Sequence, residues 1–276
     1  MNNPEKLRKI LEGLYQKYNT PEYINSDPVM FVHRYRSRED MEIAAFIASS
    51  LAYGRVAQVK KSVDNLLSRM GKSPRDFIES FSRKEADKLS GFKHRFNTGE
   101  DFALLFSGFK ELIAQFASLE NAFNHCIEQD DRNVIPALTK FTHLLRERAG
   151  KKKSRGFSYL IADPESKSPC KRLNMFLRWT VRKDGVDPGP WEKIGAERLI
   201  IPLDTHLIRL CRILCLHKSN NPTLKTAREV TEQFALICPE DPVKYDFALS
   251  RIGIVENCNG SGCTYCGTCE LKSYCG

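Results

Sequence analysis

Long hydrophobic runs are missing from this 276-residue chain. No stretch approaches the roughly 18 to 20 consecutive apolar residues that span a bilayer, and the first residues, Met-Asn-Asn-Pro-Glu-Lys, lack the apolar core of a signal peptide. We therefore expect no membrane partner, and we expect the protein to be cytoplasmic.

Strand-like alternation of apolar and polar residues is also scarce. Apolar residues instead recur at helical spacing from 41 to 70, with an interruption at Gly54. Because a glycine inside a helix costs about 1 kcal/mol relative to alanine, we expect two helices with a turn at Gly54. The same spacing predicts helices at 102–116, 134–148, 171–181, 205–215, 224–237 and 243–254. The fold class is therefore all-α.

The chain has no excess of acidic residues. It contains 43 Lys and Arg and 34 Asp and Glu, which gives a net charge of +9. Such a balance favours a polyanionic partner, nucleic acid above all, over an acidic small molecule. The alternative is a basic surface that serves solubility alone.

Cysteine is concentrated at one end of the chain. Five of the ten cysteines fall in the last 19 residues: Cys258, Cys263, Cys266, Cys269 and Cys275. In a reducing compartment such a group binds metal more often than it forms disulfides, and thiolates select zinc or iron–sulfur clusters. A tetrahedral zinc site could use the three middle cysteines with either outer one. The paired CxxC units of common zinc sites are missing.

The C-x7-C-x2-C-x5-C spacing closely resembles the [4Fe-4S] loop of endonuclease III and of adenine-mismatch glycosylases, whose first interval is usually six residues. Residues 245–253 resemble the helix that leads into that loop. The resemblance implies a [4Fe-4S] cluster, with zinc as the alternative, and these ligands: Cys258, Cys266, Cys269 and Cys275. The one-residue insertion leaves Cys263 open as an alternative first ligand.

A second segment, 200–210, contains an aspartate where a helix is expected to begin. Asp204 follows Pro202 and has the chemistry of a helix N-cap. Residues 203–206, Leu-Asp-Thr-His, resemble the strip that holds the catalytic aspartate of helix-hairpin-helix glycosylases. The resemblance implies that Asp204 stabilises the positive charge that develops on a sugar when its base leaves. The alternative is a cap alone, and one carboxylate can serve both roles.

A lysine nucleophile is the second catalytic feature that the resemblance implies. Bifunctional members of this superfamily attack the sugar with a lysine amine and form a Schiff base. Lys171 begins a predicted amphipathic helix and is the candidate, although it could be an ordinary first-turn lysine. A Leu-Pro-Gly-Val-Gly hairpin is absent and 33 residues separate Lys171 from Asp204. In both respects the chain looks more like the archaeal 8-oxoguanine glycosylase branch.

Several polar residues are candidates for contacts with DNA. In the turn near Gly54 the superfamily often inserts a wedge into the duplex, and the segment 91–96 mixes aromatic and cationic groups. The candidates are Arg55, Gln58, Lys93, Arg95, Arg172 and Lys272. We expect the nearby large apolar residues to be core: Phe92, Phe96, Trp179 and Trp191.

The resemblance implies a two-lobed, helix-hairpin-helix glycosylase-like fold with a C-terminal iron–sulfur loop. One lobe is residues 30–195, and the other joins 1–29 to 196–276. DNA would cross the cleft between them and present an extruded nucleotide to Lys171 and Asp204. We expect a monomeric base-excision-repair glycosylase that acts on damaged double-stranded DNA, with or without abasic-site lyase activity. The alternative is a non-catalytic protein that binds DNA or RNA structure.

Overall fold

Helices dominate the computed structural model, which describes residues 4–150, 154–166, 168–256, 258, 262 and 264–275. The structure is 61% helix and 2% strand, which confirms the all-α prediction.

The first part of the chain folds into short and medium helices. They are α1 (Pro4–Tyr18), α2 (Pro21–Ile24), a 3₁₀ helix (Pro28–Arg34), α3 (Arg38–Ser50), α4 (Val56–Met70), α5 (Pro74–Glu79) and α6 (Arg83–Asp87). Gly54 lies between α3 and α4 with a φ of +93°, which confirms the predicted turn. An antiparallel hairpin follows, formed by β1 (Lys93–His94) and β2 (Asn97–Thr98).

The second part contains the longest helix and the predicted site. Its helices are α7 (Gly99–Phe116), α8 (Leu119–His125), α9 (Ile135–Arg148), α10 (Arg155–Leu160), α11 (Lys171–Val181), α12 (Thr205–Ile213), α13 (Leu224–Ala235) and α14 (Asp246–Ile254). Single 3₁₀ turns occur at Ala196–Arg198, Thr264–Gly267 and Lys272–Tyr274. Each helix predicted from apolar spacing is present, with ends that differ by three residues or fewer.

Helix α3 is the centre of the core. Every residue from Glu42 to Ser50 is buried, and α3 packs against α11 and the 3₁₀ helix Pro28–Arg34. Elsewhere α7 packs on α9 and α8, and α14 packs on α1 and α12. Trp179 and Trp191 are buried in this core, as predicted.

Glu42 is a buried carboxyl that links α3 to the start of α8. It accepts hydrogen bonds from the backbone N–H groups of Leu119 (2.8 Å) and Glu120 (3.0 Å) and from the Trp191 indole (2.8 Å). Burial raises the pKa of Glu42 to about 7, although these three donors favour the charged form. The contacts hold the N-terminus of α8 against the central helix.

Buried ion pairs join α11 to the C-terminal part of the chain. Arg178 binds Asp246, the first residue of α14, and lies 3.2 Å from Asp187. Arg182 also binds Asp187, and its Nε lies 2.8 Å from Asp241. These pairs connect the two lobes predicted from the sequence, and the division into those lobes stays a prediction.

Helix length and composition bear on membrane insertion. Within the ranges given above, no single helix is long and apolar enough to cross a bilayer. Helices α7 and α8 meet that standard only as a pair, and they are bent by 74° where they join.

Candidate functional site

The two residues predicted to be catalytic form an ion pair. The Nζ atom of Lys171 lies 2.9 Å from Oδ2 of Asp204, although 33 positions separate them along the chain. Their side chains are 33% and 30% exposed, so the pair is accessible to a ligand. Both residues lie where the sequence predicts that helices begin.

The side chains of Lys171 and Asp204 are each positioned by the N-terminus of a helix. Cys170 is buried and has a φ of +49°, and α11 then begins at Lys171. Asp204 caps α12, because its Oδ1 accepts the backbone N–H groups of His206 (2.9 Å) and Leu207 (2.8 Å). The N-termini of α11 and α12 therefore meet at the pair. Each carries partial positive charge, which suits a phosphate or another anion.

The surroundings of Asp204 favour its charged form. Burial alone would raise the pKa of this carboxyl, but the Lys171 ammonium and the N–H of Leu207 outweigh burial. The pKa of Asp204 therefore lies below its ordinary value, and the group is a carboxylate at neutral pH. One oxygen caps the helix while the other faces the lysine.

Three aromatic rings gather beside the start of α11, and we call them the aromatic cluster: Tyr53, Phe96 and Tyr159. The Tyr53 and Phe96 rings are nearly parallel, with centroids 6.3 Å apart, and Tyr159 contacts both edge-on. The Arg172 guanidinium lies 4.2 Å from the Tyr159 centroid, and that of Arg95 lies 5.7 Å from the Phe96 centroid. Arg172 follows Lys171 directly, so the cluster adjoins the ion pair.

Arg172 is the predicted DNA contact whose cation is most fully engaged within the protein. Its Nη1 donates to the carbonyl of Ser50 (2.7 Å) and its Nη2 donates to the carbonyl of Tyr159. Burial lowers the pKa of Arg172 from its ordinary value. The residue therefore holds α3 and α10 around the start of α11.

The other predicted DNA contacts are exposed. Arg55 caps α4 and Gln58 lies in its first turn, while Lys93 and Arg95 belong to the hairpin. Lys272 is on the C-terminal 3₁₀ turn and not in the hairpin region. The structure thus places Arg95 and Arg172 on the aromatic cluster, with Arg55, Gln58 and Lys93 in the adjoining elements.

The position of Phe96 differs from the core position predicted for it. A core position is confirmed for Phe92, which is buried, but it is wrong for Phe96, which is 59% exposed. Phe92 precedes the hairpin and packs on Phe102, whereas Phe96 is in the two-residue loop, whose side chains point away from the core.

Four of the five C-terminal cysteines fall in the described part of the chain. They are Cys258, Cys266, Cys269 and Cys275, and none of these forms a disulfide. Burial raises the pKa of the Cys269 thiol, and nearby Cys258 and Cys275 raise it further. Burial also raises the pKa of the Cys275 thiol, and nearby Cys258 and Cys266 raise it further. The four thiols are therefore electrostatic neighbours. The alternative ligand Cys263 lies outside the described residues.

The spacing of these thiols bears on the choice of metal. Four thiolates around one zinc ion lie about 3.8 Å apart, given Zn–S bonds of about 2.3 Å. Within the described residues, no three cysteine Sγ atoms lie within 4.8 Å of one another. The described thiols therefore do not form a compact three-sulfur group.

The segment that contains the cysteines docks on α1. Lys17 forms a 2.9 Å ion pair with Glu270, and Tyr18 donates a 2.8 Å hydrogen bond to Glu256. Leu271 is buried in the core. These contacts attach the C-terminus to the N-terminal helix.

A cleft of about 450 Å³ is lined in part by Arg172. It is lined by Arg146, Arg172, Tyr159, Asp163 and several serines. At its edge the ligand atoms of His143, Asp163 and Glu165 come within 4.8 Å of one another. Arg146 already binds Asp163 at 3.0 Å, so that carboxylate has a cation of its own.

Tyr159 is the member of the aromatic cluster that the sequence analysis did not predict. It lies in α10, which is only six residues long, so no apolar period indicates its orientation. The basic run that ends at Arg155, four residues before Tyr159, is a weak signal.

No curated protein and no solved structure matches the chain. The model of the family described as Protein of unknown function (DUF2400) matches residues 27–255, a span that includes Lys171, Asp204 and the aromatic cluster, and the chain belongs to this family.

Proposed function

We propose that this protein is a base-excision-repair-type DNA glycosylase with Schiff-base lyase activity on damaged double-stranded DNA. One observation carries the proposal: Lys171 and Asp204, identified separately from two sequence segments, lie 2.9 Å apart on an accessible surface. A nucleophile beside a base is the arrangement that covalent catalysis requires.

The proposed reaction begins with a proton transfer. An ammonium in an ion pair carries its proton, so Lys171 must transfer that proton to the Asp204 carboxylate before it attacks. Its amine then forms a bond to the sugar C1′ while the glycosidic bond breaks, and the base leaves with the electron pair and takes the proton from Asp204, which becomes a carboxylate again. The C1′–O4′ bond then breaks, a proton passes from the nitrogen to O4′, and the Schiff base forms. Elimination removes a proton from C2′ and breaks the C3′–O3′ bond, so that the 3′ phosphate leaves.

Asp204 can perform this role without loss of its helix. Its Oδ1 accepts the two backbone N–H groups of α12, and its Oδ2 faces Lys171. The cap orients the carboxylate, and the free oxygen stabilises positive charge on the sugar. The N-termini of α11 and α12 favour the phosphates that flank the extruded nucleotide.

A [4Fe-4S] cluster is the proposed cofactor. The donor set fits it, because the described thiols are soft ligands that act on one another electrostatically. The ligands would be Cys258, Cys266, Cys269 and Cys275. With four protein thiolates the cluster supplies a rigid C-terminal loop rather than chemistry, and Lys272 would lie near the phosphate backbone. We place the protein, as a monomer, in the cytoplasm, where thiols stay reduced.

Borohydride trapping tests the catalytic proposal. The purified protein is incubated with duplexes that contain an abasic site, 8-oxoguanine or uracil, and the Schiff base is reduced to a stable adduct. Wild-type protein is expected to form a covalent adduct on at least one duplex, and Lys171→Ala is expected to form none.

Lys140→Ala is the matched control, because Lys140 also forms an ion pair, with Glu128, on another helix. This variant should trap DNA like the wild type. Absence of a wild-type adduct on every duplex, or an adduct that persists in Lys171→Ala, would overturn the lyase proposal and favour a DNA-structure-binding protein.

A further inference from the structure

The hairpin of β1 and β2 ends in a two-residue loop, Arg95 and Phe96, that faces solvent. Phe96 is 59% exposed. Burying a phenylalanine side chain stabilises a fold, and this position forgoes much of that contribution. The outward ring therefore does not serve the core.

Arg95 is held in an unfavourable backbone conformation. Its φ is +51°, and glycine usually occupies such a position in two-residue hairpin loops. A residue other than glycine is strained in this left-handed region, because its Cβ comes too close to the following carbonyl oxygen. The strained backbone places the Arg95 guanidinium 5.8 Å from the Tyr53 centroid and 5.7 Å from the Phe96 centroid, a contact that glycine could not make.

Hydrogen bonds hold this hairpin rigidly against the fold. The Tyr53 hydroxyl donates to the Asn97 side chain at 2.6 Å, and the Asn97 amide donates to the carbonyl of Gly156 at 2.7 Å. The buried His94 ring bonds the Ser62 hydroxyl at 2.8 Å. The loop that carries Phe96 is thus preorganised, which lowers the entropy lost when a ligand binds.

The chemistry of the hairpin tip fits one strand of nucleic acid. Lys93 and Arg95 are exposed on the same hairpin as the exposed Phe96, and Arg55 is exposed in the turn before α4. Single-strand sites combine an aromatic face, on which a base stacks, with cations that contact the phosphates. In a duplex the base faces are already stacked, so only an unpaired base can use this ring.

We infer that Phe96, with Tyr53 and Arg95 behind it, is a stacking platform for an unpaired nucleobase of the DNA that reaches Lys171. Arg172 connects Lys171 to the aromatic cluster, because it follows Lys171 in the chain and packs on Tyr159. The inference deepens the proposed function and rests on it only for the identity of the polymer as DNA.

Fluorescence anisotropy with a labelled single-stranded oligonucleotide and the matching fully paired duplex tests the platform. Stacking on one aromatic residue contributes about 1 to 3 kcal/mol. Phe96→Ala should therefore weaken single-strand binding about five- to 150-fold and change duplex binding much less. A 2-aminopurine base in the oligonucleotide should be quenched by the wild type and not by Phe96→Ala.

Three further variants complete the test. Phe96→Trp, which keeps an aromatic face, should bind and quench like the wild type, whereas Phe96→Leu, which keeps only apolar area, should behave like Phe96→Ala. Leu236→Ala removes another exposed apolar side chain, at the end of α13, and should change nothing.

Unchanged single-strand binding in Phe96→Ala, or full binding by Phe96→Leu, would overturn the platform. Failure of the proposed function is a separate result. In that case Phe96 would control single-strand binding in a protein that forms no borohydride adduct.

Discussion

Two cationic residues of helix α11, Lys171 and Arg178, bind aspartates in contrasting surroundings. At its start, Lys171 meets Asp204, and the side chains are 33% and 30% exposed. Seven residues later, Arg178 meets Asp246, and the side chains are 4% and 6% exposed. Each aspartate lies at the beginning of another helix, α12 or α14.

The choice of cation follows the surroundings. Arginine stays protonated at any working pH and offers a planar group that can bind two carboxylates, as Arg178 does with Asp187 and Asp246. Lysine can lose its proton and attack an electrophile. In α11, arginine occupies the position that joins helices, and lysine occupies the position that a substrate can reach.

The largest effect is expected when the buried pair is broken. Arg178→Met leaves Asp187 and Asp246 buried with fewer positive partners, and loss of one member of a buried pair typically costs about 3 to 5 kcal/mol. The free energy of unfolding, measured by urea denaturation, should fall by that amount. A loss below about 1 kcal/mol would contradict a structural role for this pair.

Asp204→Asn should produce the next largest effect, on activity. Asparagine caps a helix as well as aspartate does, so α12 should stay intact. The variant lacks the carboxylate that receives the proton and stabilises the sugar, and the single-turnover rate on the preferred lesion should fall about 100- to 1,000-fold.

Affinity for the same duplex, measured by anisotropy, should change little in Asp204→Asn, which separates chemistry from binding. A wild-type rate in this variant would remove Asp204 from the reaction.

The smallest effect is expected on stability when the exposed pair is broken. Lys171→Met should lower the free energy of unfolding by no more than about 1 kcal/mol, since exposed pairs contribute little. Without the ammonium, Asp204 loses a group that lowers its pKa, so this pKa should rise from its wild-type value, which carbon NMR of the carboxyl can follow.

The contribution of Asp204 to the pH dependence of stability should weaken with that shift. In the wild type, the lowered pKa of Asp204 contributes stability above the unfolded value of about 3.9, and this stability is lost as pH falls through the folded value. In Lys171→Met the folded pKa of Asp204 moves up from its wild-type value, so the stability that Asp204 contributes at neutral pH is smaller. An unaltered Asp204 titration would show that Lys171 does not control it.

Local signals were sufficient to predict the positions of the paired residues and eight of the helices: α3, α4, α7, α9, α11, α12, α13 and α14. Lys171 begins α11 and Asp204 caps α12, because apolar spacing and capping chemistry act within a few residues. Their contact follows from tertiary packing, which the sequence indicates only through the resemblance to glycosylases. The roles of Lys171, Asp204 and the cysteines stay predictions.

Long-range polar contacts and outward aromatics could not be predicted in this way. Arg178 and Asp246 are 68 positions apart and charged, and charged residues normally indicate surface. Phe96 has the residue type of a core position, yet the two-residue hairpin turns it outward. Strands of two residues are too short to show an alternating pattern, so the hairpin itself leaves no signal.

The most direct measurement is the location of the trapped sugar by mass spectrometry. Trypsin cuts after Lys167 and Arg172 but not after an alkylated Lys171, so the expected modified product is the peptide 168–172. We expect the reduced deoxyribose remnant on Lys171 in this peptide. A remnant on another lysine, or wild-type protein that carries none, would contradict it.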